Sequence, residues 1–170
     1  KAKGEFEKED LISDAQDAIH CKEYVEAIDK YIIKKILYLE YGTERVPSKL
    51  SRPTFPELYA SPKILTNKLG ALKAIVDYSG IMCDQTNRVC VLWKELHKVE
   101  NRSISMSIRS YSTMSREEME KLSASIDLYY LLGILNSKYA NVLLDIIRGK
   151  GNIDVNPEYI RKIPIPTATS

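Results

Sequence analysis

The chain has 170 residues, of which 44% are apolar and 28% charged. That composition predicts one globular domain with a real core and excludes a disordered or fibrous chain. Its 25 basic and 23 acidic side chains leave a net charge of +2, which excludes a polybasic coat but not a domain that meets an anion with one face. No apolar run approaches the ~20 residues a membrane helix needs. The opening Lys1-Ala-Lys-Gly-Glu-Phe-Glu has no apolar region to make a signal peptide, and its lack of a Met predicts a piece of a longer protein.

Charge is unevenly spread. Residues 1–30 carry five Lys against nine acids, residues 31–75 eight bases against three acids, and residues 101–116 three arginines and no acid. In chain order, Ser13 with Asp14 and Asp17 predicts the capped start of a helix running towards Tyr24. From Val25 to Tyr41 the pattern fits either a helical stripe (Val25, Ile28, Ile32, Ile36, Leu39) or strands through Tyr31–Ile33 and Leu37–Tyr41. The prolines Pro47, Pro53, Pro56 and Pro62 predict an extended connection rather than a helix. Strands are predicted at Lys63–Thr66, Ala74–Asp77 and Val89–Trp93, with turns at Gly70, Ser79-Gly80 and Thr86-Asn87.

Further on, Ile104, Met106 and Ile108 alternate with Ser103, Ser105, Ser107 and Arg109, the period of a half-buried strand, although a polar loop would also suit. Ser115 and Glu118 form a capping box for the next helix. The longest helix is predicted from Ile126 to Arg148, stopped by Gly149. Asn156–Pro166 reads as one helical turn and a proline exit. The fold class expected is α+β, with a mixed, largely antiparallel sheet and a long C-terminal helix packed on it.

Three cysteines without a C-x-x-C pair fit a reducing cytoplasm and thiols used as small apolar side chains. Cys83, Cys90 and His97 recur every seven residues, too widely for an ordinary zinc ligand pair. Seven glycines include one G-x-G, Gly149-Lys-Gly151, but form no glycine-rich cofactor loop after a strand and no phosphate-binding loop, and no Asn/Asp-Pro-Pro-Tyr/Phe string occurs. Asp77, Asp84 and Lys94 could be drawn together as a metal-dependent nuclease site, but without the compact acid-x-Lys pair that chemistry uses. His20 and His97 have no adjacent nucleophile signature. Binding is therefore the more economical expectation. Two basic patches carry it: Asn101, Arg102, Arg109 and Arg116 in a Ser-rich stretch, and Arg45, Lys49, Arg52, Lys68 and Lys73 with Lys34.

Three phrases add a family resemblance. They are Arg52-Pro-Thr-Phe-Pro-Glu-Leu-Tyr-Ala-Ser-Pro-Lys-Ile-Leu; Ala74-Ile-Val-Asp-Tyr-Ser-Gly with Asp84-Gln-Thr-Asn; and Leu128-Tyr-Tyr-Leu-Leu-Gly-Ile-Leu-Asn-Ser-Lys-Tyr with Pro157-Glu-Tyr-Ile-Arg-Lys-Ile-Pro-Ile-Pro. Together they resemble the TaqI-like C-terminal specificity domain of DNA methyltransferases and type II restriction-modification enzymes, over roughly residues 22–166. Similar Leu-Asn-Ser phrases occur in type I specificity subunits.

The resemblance implies a target recognition domain on double-stranded DNA, preceded by a linker segment at residues 1–21 and followed by a tail at 167–170. It implies strands at Tyr24–Tyr31 and Ile36–Tyr41. Catalytic methyltransferase or nuclease domains, with S-adenosylmethionine and, where the parent cuts, Mg²⁺, would lie upstream in the same chain, with no cofactor in these residues. The shared phrases are scaffold, so Arg45, Lys49, Arg52, Lys68, Lys73, Asn101, Arg102, Arg109 and Arg116 stand as DNA-contact candidates on physical grounds alone. The competing expectation is an assembly module that uses the Leu-rich helix.

Overall fold

The computed structural model describes residues 8–46, 56–60, 62–83, 85–111 and 113–166. The centre of the fold is the antiparallel sheet made by β6 (Lys63–Asn67), β7 (Ala74–Asp77) and β9 (Asn87–Val91), in the order β7-β6-β9. Alternation along these strands sends side chains into two different cores. Ile64, Ala74, Val76 and Cys90 face one cluster, while Leu65, Ile75 and Val89 face another. Burial on both sides is why these strands read as continuous apolar runs.

The first face is covered by α4 (Leu128–Leu135) and α5 (Lys138–Arg148), which supply Leu128, Leu132, Leu135, Ala140 and Leu144. Val155 and Ile163, on either side of the short α6 (Pro157–Ile160), close this core. The second face is covered by Val25 from β2 (His20–Val25) and by the hairpin of β3 (Ile28–Asp29) and β4 (Ile32–Ile33). Among the described residues, β2 also belongs to a four-stranded sheet ordered β1-β5-β2-β8, with β1 at Ile12–Ser13, β5 at Leu37–Glu40 and β8 at Met82–Cys83. Its pairings are antiparallel except β2 with β8. The expected α+β class, with a largely antiparallel sheet core, is what the structure shows. No helix of the described residues is long and apolar enough to cross a membrane.

Several local expectations are corrected. Ser13 does not open a helix. Its hydroxyl bonds within the turn to Ala15, and Asp17 accepts from the Ile19 and His20 amides. Caps and turns use the same side-chain chemistry, and sheet pairing of Tyr24 and Val25 decides between them. The four-stranded sheet thus takes strands from both sides of residue 22. The helical stripe from Val25 to Tyr41 gives way to strands, but the implied strand Tyr24–Tyr31 breaks after Val25 and ends in the turn at Lys30-Tyr31. Pro56–Ala60 is a helical turn, α1, rather than extended chain, since Pro56 occupies the first helical position where its missing N–H matters least. Trp93 leaves the sheet and starts a 3-10 turn, Trp93–Leu96.

The predicted strand at Arg102–Arg109 is instead helix α2 (Arg102–Tyr111). Ile104 and Ile108 lie four apart, the helical spacing, and Met106 turns out to solvent. The box at Ser115 forms as expected and starts α3 (Arg116–Ala124): the Glu118 amide donates to Ser115 Oγ at 3.2 Å, and the Ser115 amide to Glu118 Oε2 at 2.7 Å. The single long helix predicted from Ile126 is two helices. Asp127 caps α4, and the chain breaks at Asn136-Ser137, where Ser137 is extended and caps α5. Gly149, at φ +79°, ends α5 as predicted.

The break has a physical cause 62 residues away. Edge strand β7 has outward backbone groups with no strand beside them. Asn136 supplies the missing partner: the Ala74 amide donates to its Oδ1 at 2.8 Å, and its Nδ2 donates to the Ala74 carbonyl at 2.9 Å. Asn141 does the same for Leu72, at 2.7 and 3.4 Å. The Leu-Asn-Ser phrase therefore closes a sheet edge with a side-chain imitation of a peptide.

Lys63 opens β6 opposite Asp77 and is completely buried. Its ammonium pairs with Asp77 and donates to the Tyr59 carbonyl of α1 at 2.6 Å. Asp77 also accepts from the Ser79 and Ile81 amides, holding the turn at Gly80, φ +88°, in place. Burial pushes the Asp77 carboxyl up, but bonds from Lys63 and Ser79 outweigh it and leave the group below its ordinary range.

Candidate nucleic-acid interface

The structure sorts the nine basic and amide candidates by what already holds them. Arg45 is committed: its guanidinium pairs with the buried Glu40 and donates to the Asp10 carbonyl at 3.2 Å. Hydrogen bonds from Arg45 and Thr43 hold the Glu40 carboxyl low, so withdrawing Arg45 to a phosphate would strand a buried charge. Arg116 is committed as well. Its Nε donates to Glu120 at 2.8 Å and its Nη2 to the Leu96 carbonyl at 2.7 Å, which fastens α3 to the 3-10 turn. Both arginines hold the scaffold together. Lys49 and Arg52 lie outside the described residues.

Lys73 is half-buried beside Asp29, at 3.2 Å. Lys68 is half-buried just after β6, where its carbonyl accepts from the Val155 amide at 2.7 Å. Asn101 is the start of α2, its Oδ1 accepting from the Ile104 amide at 3.0 Å. Its Nδ2 is buried with no hydrogen-bond partner among the described residues. Arg102 and Arg109 are both exposed on α2.

Seven residues at 100° each bring Arg102 and Arg109 to within about 20° of one line on the helix, about 10 Å apart along its axis. Met106 is exposed between them, and Ser105 and Ser110 flank the row. No acid interrupts α2, and its first turn has none. That turn is unusual on electrostatic grounds, since a helix start is a partial positive charge that favours Asp or Glu. Helix α3 obeys the rule with Glu117 and Glu118; α2 puts Arg102 there instead. Arg109, in the last turn, is where the dipole favours a cation. Arg102 has no such account within the fold.

Among the described residues, the groups weighed as catalytic from sequence have other partners. Asp77 is engaged with Lys63, Lys94 donates to the Ile126 carbonyl at 3.1 Å, and Asp84 lies outside the described residues. Cys83 and Cys90 pack on opposite faces of the β7-β6-β9 sheet, and burial pushes the Cys90 thiol up to about 11. Cys21, expected to be a buried apolar thiol, is exposed. No cluster of three or more His, Cys, Asp or Glu among the described residues is arranged to hold a metal ion. Tyr129 and Tyr130, expected as core and rim packing, are exposed; the Tyr129 ring lies 6.1 Å from that of Tyr78.

Sequence reasoning missed the tip of the β3–β4 hairpin, where Tyr31 and Ile32 are exposed beside Lys30 and Lys34. The available signal was a two-residue connection, Lys30-Tyr31, between Ile-Asp and Ile-Ile pairs. No protein-family model, curated protein or solved structure matches the chain.

Proposed function

We propose that this chain is a duplex-DNA recognition module, the target-reading part of a DNA methyltransferase or restriction-modification enzyme. The observation that supports it is α2: ten residues, about 15 Å long, with no acid and with arginines at both ends of one exposed row. A helix of that width fits the major groove, where arginine pairs with guanine edges or reaches a phosphate. The roughly 10 Å between the two arginines spans about three base pairs. The expected mode of reading was an extended loop or strand; the helix replaces it with a stiffer and better-defined probe. In this reading methyl transfer or cleavage, with its S-adenosylmethionine or Mg²⁺, belongs to the catalytic part of a larger protein, and no residue described here is assigned to that chemistry.

The test is fluorescence anisotropy of a 30-base-pair mixed-sequence duplex titrated with this chain at several salt concentrations. Binding should weaken steeply with salt, and R102E/R109E should abolish it or reduce the log–log slope by about 2. A salt-independent signal overturns the proposal.

One observation favours an assembly role instead. Tyr139, Val142 and Ile146 form an exposed apolar stripe on α5, on the side away from Ala140 and Leu144. R102E/R109E separates the two readings, because it removes duplex binding under the first and leaves association untouched under the second.

A further inference from the structure

We infer that the β3–β4 hairpin is a wedge, in which Tyr31 stacks on a base step of duplex DNA while Lys34, Lys35 and Lys73 meet the flanking phosphates. This rests on the duplex-binding role proposed above, but on a different part of the molecule. The two-residue turn Lys30-Tyr31 connects the Asp29–Ile32 pair. Its second residue, Tyr31, sits at φ +64°, a region that glycine or asparagine enters readily and a bulky side chain enters at a cost of about 1–2 kcal/mol.

The backbone is held there firmly. The Tyr31 amide donates to the Ala74 carbonyl at 3.1 Å, the Lys30 amide to Asp29 Oδ1 at 2.8 Å, and Lys30 Nζ to the Asn136 carbonyl at 2.8 Å. Glycine would make the same backbone bonds without strain. Burial does not explain the ring either, since Tyr31 is 60% exposed and Ile32 beside it 62%. The fold therefore carries a strained, pinned and largely solvent-facing aromatic where glycine would sit without strain.

The surroundings fit a polyanion. Lys34 and Lys73 share one carboxylate, Asp29, at 3.4 and 3.2 Å, and Lys35 pairs with the exposed Asp14 at 2.7 Å. The exposed pairs of Lys34 and Lys35 are worth ~0–1 kcal/mol and exchange readily for phosphate contacts. A two-stranded ribbon enters a groove as a helix does, and apolar or aromatic side chains on such elements part base steps.

The experiment uses the whole chain with a 30-base-pair mixed-sequence duplex carrying 2-aminopurine at several positions, read by anisotropy and by 2-aminopurine fluorescence. Wild type should raise the fluorescence as steps unstack, and Y31F should match it. Y31G should weaken binding about tenfold with the salt slope unchanged, abolish the fluorescence rise, and melt no lower than wild type. K34E/K35E should lower the slope by about 2. If Y31G binds and unstacks as wild type does while R102E/R109E does not bind, the wedge falls and the duplex-binding role stands. If folded wild type binds no duplex, both fall.

Discussion

The sheet layer of β6, β7 and β9 under α4 and α5 uses its polar side chains in the opposite way to helix α2 of the arm from Trp93 to Ala124. In the sheet layer they serve the chain's own backbone: Lys63 and Asp77 lock α1 to the turn at Gly80, and Asn136 and Asn141 complete the edge of β7. In the arm, α3 is fastened by Arg116 to the Leu96 carbonyl and by Ser123 Oγ, which accepts from the Lys94 amide at 2.8 Å. Helix α2, whose buried apolar anchor is Ile104, leaves its arginines in solvent. The difference separates charge buried against the fold's own groups from charge that faces solvent. Counting basic residues along a sequence cannot make that separation.

The sharpest way to break this contrast is Lys63→Met. It leaves Asp77 buried without its counter-ion and should destabilise the chain by about 3–5 kcal/mol in chemical denaturation. The pH dependence carries a signature of the pair. The folded Asp77 carboxyl ionises more readily than the unfolded group at 3.8, so its contribution is full above about pH 4 and is lost as pH falls through the folded value. In the Lys63→Met variant burial is opposed by the Ser79 bonds alone, so that acid loss should shrink.

Asn136→Ala comes next, at about 1–3 kcal/mol, because it strands the Ala74 amide in a buried site and leaves the Ala74 carbonyl with the Tyr31 amide alone. Hydrogen exchange should show lost protection along β7, with α3 unaffected. Ser115→Ala, which opens the capping box of α3, should cost about 1 kcal/mol and speed exchange in the first turn of that helix alone.

Residues whose partners lie nearby in sequence were the legible ones. Ser115 with Glu118, Gly149 after α5, and the strands at Lys63–Thr66 and Ala74–Asp77 could be read directly, since caps are local and strands buried on both faces are uniformly apolar. The break at Asn136 was not legible, because what it satisfies is a strand edge far along the chain. Helix α2 was ambiguous: Ile104, Met106 and Ile108 fit a period of two, and only the outward turn of Met106 reveals the helix. Within the site, Arg102 and Arg109 stood out in an acid-free stretch. Arg116 could have been set aside from sequence, since Glu120 four residues on is the spacing of a helical ion pair. Arg45 could not, because the burial that makes Glu40 need it appears only once β5 pairs with β1 and β2.

The smallest expected effect on stability is the most informative for function. Arg102→Glu with Arg109→Glu changes two exposed side chains, and exposed substitutions away from caps and cores stay within about 0.5 kcal/mol. Position 102 should even gain, because a carboxylate in the first turn of α2 meets the positive end of the helix dipole, a contribution of about 0.3–1 kcal/mol. Position 109 should lose a comparable amount, because it puts a carboxylate where the dipole is negative. The double variant should therefore melt with wild type, and Arg102→Glu alone slightly above it. A first turn improved by removing its arginine would mean that Arg102 is kept for something other than the fold. If Arg102→Glu instead unfolds α2 by circular dichroism, Arg102 belongs with Arg45 and Arg116 among the scaffold arginines.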